Sequence, residues 1–324
     1  MKYFFIVTFL LISCQHSFEP IETKSEALWI SATARINGYK QIVLIDYRNP
    51  AKFKLLTNDQ NQNFYSKFSN DRRQLIYLKE KPENTAGRRL VRYSLNGKYA
   101  ELIDSTFAMI HVVGNIPVIW SPDDSRIYFR FRSFSWSDDP MYYDFYKNKT
   151  TFLINTPDPS EYVVAFKGSD TLIVFSNDTS TTHAPSGFYY MDLNGSYLSF
   201  IDNPHLELIN RNGVNLKSAL HPDWNNKLGL FVYAQIDSTY PGYKIAITDL
   251  KGKIYKTYTS GEYIDDYPVW GPDDHIVFFH RQPINDYDGF NKRLMILNLK
   301  NGEVRDFLDP ASINNATALG YPDY

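Results

Sequence analysis

Hydrophobic and polar positions recur along this chain in blocks of about 50 residues. In each block an aromatic or apolar residue precedes a short polar turn, and a run of aromatic and β-branched residues follows the turn. The pattern is clearest in WSPDDSRIYF from Trp120 and WGPDDHIVFF from Trp270, and weaker copies begin at Phe68, Phe166 and Leu220. A period of this length is typical of propellers and solenoids.

Each block contains four strand-like segments. A loop of variable length separates the second segment from the third, for example RIYFRF from MYYDFYK. An Asn-Gly or Lys-Gly pair then introduces the fourth, in LNGK (95–98), LNGS (193–196), LKGK (250–253) and KNGE (300–303). Asn-Gly between two such runs predicts a type I′ hairpin, in which both central residues have positive φ. Each block therefore predicts one four-stranded antiparallel blade, and helix content should be low.

The two ends of the chain complete the count of blades. Residues 28–57 supply the second, third and fourth strands of a blade but lack the first, and the C-terminal YPDY (321–324) matches YPVW (267–270) before a turn. We therefore predict an all-β, six-bladed β-propeller over residues 27–324, in which the C-terminal strand joins the N-terminal blade. Closure would leave no open strand edge at the seam. The alternatives are an open β-solenoid or two sandwiches.

The N-terminus, MKYFFIVTFLLISC, has the features of an export signal. Lys2 precedes an apolar run that is too short to span a bilayer. The last four residues resemble the lipobox of bacterial lipoproteins, which implies that Cys14 is lipidated; the alternative is an ordinary signal peptide with a chance cysteine. We predict a signal peptide at 1–13 and a lipidated tether at 14–26.

Composition narrows the class of protein. Hydrophobic residues make up 43% of the chain and aromatic residues 16%, which is enough for a large core. The 34 basic and 36 acidic residues nearly balance, so nothing indicates a nucleic-acid partner. Cys14 is the only cysteine, which excludes an intramolecular disulfide. We expect a monomer that contacts the membrane only through its lipid anchor.

The adjacent carboxylates Asp123 and Asp124 raise the question of a catalytic pair. They lie in a Ser-Pro-Asp-Asp turn, where proline fixes φ and aspartate side chains cap nearby backbone N–H groups. Related residues recur in several blocks around the predicted ring, as in Asp273 and Asp274. This recurrence indicates a structural role for the carboxylates.

The repeated phrase Trp-Ser-Pro-Asp-Asp, followed by a strand, resembles the PD40 (WD40-like) repeat of TolB-type propellers. The match is strong at 120–124 and 270–274, partial at His221-Pro222-Asp223, and degenerate at 68–71 and 166–170. The resemblance implies a six-bladed propeller in an exported bacterial protein. TolB proper carries an α/β domain before its propeller, whereas here we expect only a tether. The same repeat precedes hydrolase domains in some peptidases, but no Gly-x-Ser-x-Gly elbow occurs in this sequence.

The direction of the strands predicts where ligands bind, because successive connections in an antiparallel blade alternate between the two faces of the ring. Connections between second and third strands, and between blades, fall on one face of the ring and are long and variable; we call it the long-loop face. Binding groups concentrate on variable loops held by a rigid scaffold. Trp136, Tyr142 and Tyr240 are candidates for an aromatic platform there; the alternative is that they pack on neighbouring loops.

Two further groups of candidates lie in these loops. Asp286 and Asp288, with Tyr287 between them, could offer oxygens to Ca²⁺ together with Asn285, although the distal Glu of an EF-hand loop is absent and turn formation is the favoured interpretation. His183 is the other candidate ligand contact. It could also meet His111 and His205 at the ring centre, because lyases built on related propellers hold a metal with several histidines. We expect no metal and no cofactor.

These observations favour a non-catalytic, lipid-anchored envelope propeller that binds a protein or glycan through the long-loop face. The alternative is a polysaccharide lyase or hydrolase with a metal or acid/base cluster at the central channel. Gln15 follows Cys14, whereas an Asp at that position would indicate retention at the inner membrane. The outer membrane is therefore the expected location.

Overall fold

Six four-stranded antiparallel blades form the fold, and one parallel bridge between Tyr243 and Ile264 links the last two blades into a single sheet. The computed structural model describes residues 28–80, 89–101, 118–132, 138–154, 161–176, 187–206, 217–237, 241–286, 291–313 and 316–323. In these ranges the only helical element is a 3₁₀ turn at Pro310–Ser312, and no helix is long and apolar enough to cross a membrane. The predicted all-β fold with six blades is confirmed.

The strands follow one another from the inner to the outer edge of each blade, and we number the blades from the N-terminus. Blade 1 has β24 (Ala318–Asp323), β1 (Trp29–Ile36), β2 (Tyr39–Asp46) and β3 (Phe53–Leu55). Blade 2 has β4 (Gln62–Phe68), β5 (Gln74–Glu80), β6 (Arg89–Ser94) and β7 (Tyr99–Glu101). Blade 3 has β8 (Ile119–Trp120), β9 (Arg126–Arg132), β10 (Asp138–Asp144) and β11 (Lys149–Phe152).

The second half of the chain repeats this order. Blade 4 has β12 (Glu161–Lys167), β13 (Thr171–Ser176), β14 (Gly187–Asp192) and β15 (Tyr197–Phe200). Blade 5 has β16 (Lys217–Asn225), β17 (Leu230–Asp237), β18 (Tyr243–Asp249) and β19 (Tyr255–Thr257). Blade 6 has β20 (Ile264–Trp270), β21 (Ile276–Gln282), β22 (Arg293–Asn298) and β23 (Glu303–Leu308).

The C-terminal strand closes the ring. β24 pairs antiparallel with β1, with Ser31 opposite Asp323 and Thr33 opposite Gly320. The chain therefore begins its first blade at the second strand and completes that blade with its last strand. The predicted closure is confirmed, and it leaves the inner edge of blade 1 paired rather than open.

The core lies between the blades. Each of six buried apolar clusters joins two neighbouring blades, and together the clusters complete the circle. For example, Ile30 on β1 packs toward Phe278 of blade 6, while Ile42 on β2 packs toward Leu75 of blade 2. Middle strands are thus buried on both faces, which is why they read as continuous apolar runs instead of alternating.

The Asn-Gly turns occur where the sequence predicts them, but most have a different geometry. Asn37 and Gly38 both have positive φ, 52° and 84°, as a type I′ turn requires. In the turns between third and fourth strands only the glycine has positive φ, as at Gly195 and Gly302. The type I′ prediction is therefore wrong at these turns, because the Asp192 carboxylate accepts the backbone N–H groups of Asn194 and Ser196 and closes the turn from its first residue.

The two carboxylates of the Ser-Pro-Asp-Asp turn have separate structural roles. Asp123 accepts the Ser121 hydroxyl at 2.6 Å and the Ser125 N–H at 3.1 Å, and these bonds hold the pKa of Asp123 below its usual value. Asp124 accepts the backbone N–H groups of Asn70 and Asp71 in blade 2, at 2.8 and 2.9 Å. The first carboxylate therefore closes its own turn, and the second ties blade 3 to blade 2.

Replacing Asp124 with alanine is expected to lower the free energy of unfolding by about 1–2 kcal/mol, because two backbone N–H groups lose a charged acceptor. Denaturant unfolding measures the change. Asp274 occupies the same position in blade 6 but only pairs with exposed Lys227, so Asp274→Ala is the matched control, with an expected cost of about 0–1 kcal/mol. Equal losses of unfolding free energy in both variants would contradict a stabilising contact between Asp124 and blade 2.

One repeat assignment needs correction. His221-Pro222-Asp223 lies inside β16, where a bulge falls between Leu220 and Asp223, and the turn follows Asn225 instead. Its match to the Pro-Asp turn is therefore wrong. A bulge leaves a residue of the strand unpaired, so Pro222 removes no ladder bond. The aromatic anchors, which lie at the end of the described inner strands or one residue before it, are Phe68, Trp120, Phe166, Trp224 and Trp270.

Candidate functional site

The channel at the centre of the ring contains an ion triad in which Asp323 is buried and Lys67 and Asp223 are half-buried. Lys67 and Asp223 each come directly before the aromatic anchor of their inner strand, and Asp323 is the last residue of β24, so the three residues belong to three different blades. Lys67 Nζ is 2.7 Å from Asp323 Oδ1 and 3.8 Å from Asp223 Oδ1. The other described positions of this ring are apolar: Ile119, Ala165 and Val269. One cation thus bridges two carboxylates that lie 100 residues apart in sequence.

The triad also holds strands together. The Phe68 N–H donates to Asp323 Oδ2 at 2.7 Å, and the Trp270 N–H donates to Asp223 Oδ2 at 2.9 Å. Burial alone would lower the pKa of Lys67, but the two carboxylates outweigh it and hold that pKa above its usual value. Lys67 is therefore charged, and its removal or that of Asp323 would leave an uncompensated charge in the channel.

An aromatic plug, which we define as Tyr65, His221, Tyr267 and Tyr321, crosses the channel beside the triad. All four residues have positive φ, between 46° and 53°. Positive φ is unusual for residues of this size. Each lies at the bulge or register shift of its inner strand. The left-handed backbone conformation at the bulge breaks the alternation of side chains and turns this one toward the axis of the ring.

The rings of the plug stack on one another. His221 lies 3.7 Å from Tyr267 in a stacked geometry, and Tyr321 meets Tyr65 and Tyr267 edge-on at 4.7 and 4.8 Å between centroids. These contacts are the offset and edge-to-face arrangements that aromatic pairs favour. Two cavities lie on opposite faces of the ring, and we call them the first and the second mouth.

A buried polar pair supports the plug. His221 Nδ1 lies 2.7 Å from Asp266 Oδ1, which also accepts the Tyr267 N–H at 2.7 Å. Burial would raise the pKa of Asp266, but the His221 interaction outweighs it and keeps that pKa below its usual value. His280, opposite Asp266 on β21, is buried, and burial lowers its pKa well below the usual value. His280 is therefore neutral at pH 7.

The first mouth is a funnel on the turn face, the side of the ring that carries the turns between first and second strands. Its volume is about 570 Å³, and inner strands of five blades line it. Trp120 and Trp270 donate their indole N–H groups to backbone carbonyls of the preceding blade, whereas Trp224 has a buried indole nitrogen with no hydrogen-bond partner among the described residues.

The second mouth is a small pocket of about 50 Å³ on the long-loop face, at the seam of the ring. Its lining combines three basic side chains with a threonine and a tyrosine: Thr33, Arg35, Lys40, Lys292 and Tyr321, with backbone from Ala318 and Gly320. Lys292 Nζ donates to the Tyr321 hydroxyl at 2.6 Å. Three basic side chains from blades 1 and 6 thus line this mouth.

The structure places only some of the candidate residues. Tyr142 lies in β10, half-buried, with its ring 5.6 Å from Tyr128 and the Arg126 guanidinium 4.8 Å over it. Its contacts are those of a packed strand residue, on strand β9 of the same blade and not on a neighbouring loop. Trp136, His183, Tyr240, Tyr287 and Asp288 lie outside the described residues.

The remaining candidates have local contacts. Asp286 Oδ2 accepts the Asn291 N–H at 2.8 Å, as a turn-forming carboxylate does. His205 stacks on Tyr255 at 4.0 Å, beside the outermost strand of blade 5. His111 is not described, and no group of three metal-ligating side chains lies together in the described ranges.

The sequence interpretation missed the triad and the plug. Their signal is positional: aligning the inner strands on their aromatic anchors places Lys67 and Asp223 in one column, and Tyr65, His221 and Tyr267 in another. The misplaced anchor at Leu220 moved blade 5 out of this alignment. Pro222 had suggested a turn, although it lies in a bulged strand.

Comparisons with solved structures show the same architecture. TolB from Acinetobacter baumannii matches with a TM-score of 0.69 at 12% identity, covering 91% of this chain and 66% of that one. A putative TolB from Agrobacterium tumefaciens matches at 0.61 and 14%, covering 87% and 90%. An oligogalacturonate lyase from Vibrio parahaemolyticus matches at 0.50 and 11%, covering 89% and 83%.

These matches relate backbones rather than activities, since proteins of one fold host many functions. The chain spans just under two thirds of the Acinetobacter TolB chain. No protein-family model and no curated protein matches the sequence. What the chain shares with its structural neighbours is therefore its architecture, and that architecture is a TolB-like β-propeller.

Proposed function

We propose that this chain is a non-catalytic, lipid-anchored propeller of the bacterial cell envelope that binds a protein or a glycan at its long-loop face. The observation that carries the proposal is the basic pocket on that face. Arg35, Lys40 and Lys292 converge there beside the closing strand of the ring. A polar pocket on a rigid, closed scaffold is typical of a binding site.

The groups on the channel axis support binding rather than chemistry. Asp323, Asp223 and Asp266 each accept a backbone N–H from an inner strand. A general acid or base must exchange its proton with a substrate within hydrogen-bond reach. Carboxylates that hold strands in place are poorly suited to that exchange, so the lyase or hydrolase alternative receives less support than the binding proposal.

Anchoring is tested by removing the lipidated cysteine. Cys14→Ala is expected to abolish fatty-acid incorporation and to shift the protein from the membrane fraction to the soluble fraction, because the acyl chains supply the membrane affinity. Metabolic labelling with a fatty-acid analogue and membrane fractionation measure both effects. Cys14→Ser is the matched conservative variant, and membrane association that survives in both would contradict the anchor.

The binding face is tested by site-specific photo-crosslinking in cells that express the full chain. A photoreactive residue at Asn291, which is exposed beside Lys292 on the long-loop face, is expected to capture an envelope partner. Asn226 on the funnel rim and Tyr146, which is 87% exposed on a turn away from both mouths, are the comparison positions. Capture from Asn226 alone would move the binding site to the funnel and refute the proposal.

A further inference from the structure

We propose that the outermost strand of blade 4, β15 (Tyr197–Phe200), pairs with the same strand of a second copy of this chain to form a two-fold dimer. The two copies of blade 4 would then join into one eight-stranded antiparallel sheet. The inference goes beyond the proposed function, because it concerns the outer rim of the ring rather than its long-loop face. It also departs from the monomer that the sequence led us to expect.

The edge of β15 lacks the charged residues that protect the other blades. Within the described ranges, no strand pairs with the outer edge of any outermost strand. Such an open edge can pair with another chain, and charged side chains on the edge oppose this pairing. β15 has none, and the sequence contains no charged residue between Asp192 and Asp202. Each of the other five outermost strands contains at least one charged residue: Lys54, Glu101, Lys149, Lys256 and Glu303.

Apolar side chains are exposed along the same strand. Tyr197, Leu198 and Phe200 are 43%, 52% and 41% exposed. A bulge at Leu198 places Tyr197 opposite Met191 and Phe200 opposite Tyr189, and these two residues of β14 face the same side of the blade. Leu198 lies two residues before Phe200, so alternation directs it to that side as well. Exposed apolar residues grouped in this way are typical of a surface that another chain covers.

The backbone of β15 fixes the register of the pair. The Ile201 N–H donates to the Phe188 carbonyl of the same blade at 2.8 Å. Backbone groups alternate between the two edges of a strand, so those of Phe200 and Leu198 point away from the blade. Two copies can therefore pair antiparallel about Ser199, with Leu198 of each copy opposite Phe200 of the other.

This register is self-complementary. It forms two Leu198–Phe200 pairs on either side of a central Ser199–Ser199 pair, and cross-strand pairs of these kinds stabilise sheets. Asp202, the nearest charged residue, would lie opposite Ser196 of the other copy, so no like charges face each other. A second copy of the chain thus fits both the backbone and the side chains of this edge, and two-fold contacts are the commonest between identical subunits.

Disulfide cross-linking of the full chain tests the register. Cys14→Ser provides a background without cysteine, because Cys14 is the only one. The two Ser199 Cα atoms would lie about 4.5 Å apart, which suits a disulfide. Ser199→Cys is therefore expected to give a covalent dimer when oxidised with copper phenanthroline. Ser196→Cys, about 10 Å from the two-fold axis, is the matched control and should remain monomeric on a non-reducing gel. Equal cross-linking at both positions, or none at Ser199→Cys, would overturn the inference.

Sedimentation equilibrium in the same background measures the strength of the dimer. Leu198→Lys brings a charge to both apolar pairs and is expected to raise the dissociation constant by at least about tenfold. Ile254→Lys alters an apolar residue of blade 5 that is 51% exposed, so it is the matched control and should leave the dimer unchanged. Thermal unfolding shows whether each variant folds, and cross-linking at Ser199→Cys decides the question if Leu198→Lys does not.

Three results of sedimentation would refute the dimer. They are a monomer at every concentration, a dimer that Leu198→Lys leaves unchanged, and assemblies that keep growing with concentration, since a two-fold contact closes after two copies. The proposed function is tested separately, because capture of a partner from Asn291 on the long-loop face does not depend on β15.

Discussion

Replacing Asp323 with alanine is expected to lower the free energy of unfolding by about 3–5 kcal/mol. The variant leaves Lys67 half-buried with only the more distant Asp223, 3.8 Å away, and removes the acceptor of the Phe68 N–H. Asp323 also lies at the end of the strand that closes the ring, so the same change weakens the seam between blades 1 and 2. Urea unfolding monitored by circular dichroism measures the loss.

Two companion variants test the reason for this loss. Asp223→Ala removes the other carboxylate of the triad but leaves Lys67 its 2.7 Å partner, so the expected cost is smaller, about 1–2 kcal/mol. The double variant Lys67→Met with Asp323→Leu should recover much of the stability, because it leaves no unpaired charge. An Asp323→Ala variant no less stable than Asp223→Ala would show that the short ion pair does not govern the triad.

Acid is expected to destabilise the fold through His280. Burial, and then the positive charge of Lys292, hold the pKa of His280 well below its ordinary value of 6.5, while Asp266 opposes them. Below pH 6.5 the unfolded chain binds a proton that the folded chain does not. Stability is therefore full above that pH and falls by up to about 1.4 kcal/mol per pH unit below it, until His280 of the folded chain also binds a proton.

Urea unfolding at several values between pH 7.5 and pH 5 measures this slope. His280→Gln removes the titrating group and should flatten the curve, whereas His205→Gln, a change at the outer edge of blade 5, should leave the slope in place. The lowered pKa of Asp266 acts in a different range, because its contribution is present above the unfolded value and is lost only below about pH 4. A slope that survives His280→Gln would contradict the assignment.

The fold followed from the sequence because its determinants are local and repeated. An apolar run such as LIVF at 172–175 predicts a strand that is buried on both faces, and glycines such as Gly302 fix the turns. Each block of about 50 residues contains the same pattern, so the prediction for one blade is repeated in the others. Because the same unit is repeated six times, one wrong assignment has little effect on the predicted fold. The misplaced anchor of blade 5 changed neither the number of strands nor their order. Ring closure was also readable, because the C-terminal segment repeats the inner-strand motif that the first blade lacks.

The site could not be read in the same way, because it depends on single residues in different blades. A change of one residue in a strand's register moves every side chain to the other face, and bulges introduce such a change at Tyr65, His221 and Tyr267. Alternation therefore gives no guide to which of these side chains reach the axis. Asp286 and Tyr142 were readable as loop or strand residues, but their contacts were not.

By itself the sequence determined an all-β ring of six repeated blades, its closure by the last strand and the structural use of the Pro-Asp turns. Periodicity and turn chemistry act within a few residues, so one chain displays them without its partners. Only the tertiary structure decided that Lys67 bridges Asp223 and Asp323, that four aromatic rings from four blades contact one another, and that Arg35, Lys40 and Lys292 share one pocket. Those groups meet because the ring brings residues far apart in sequence to one axis and one seam, where burial and charge act over a few ångströms.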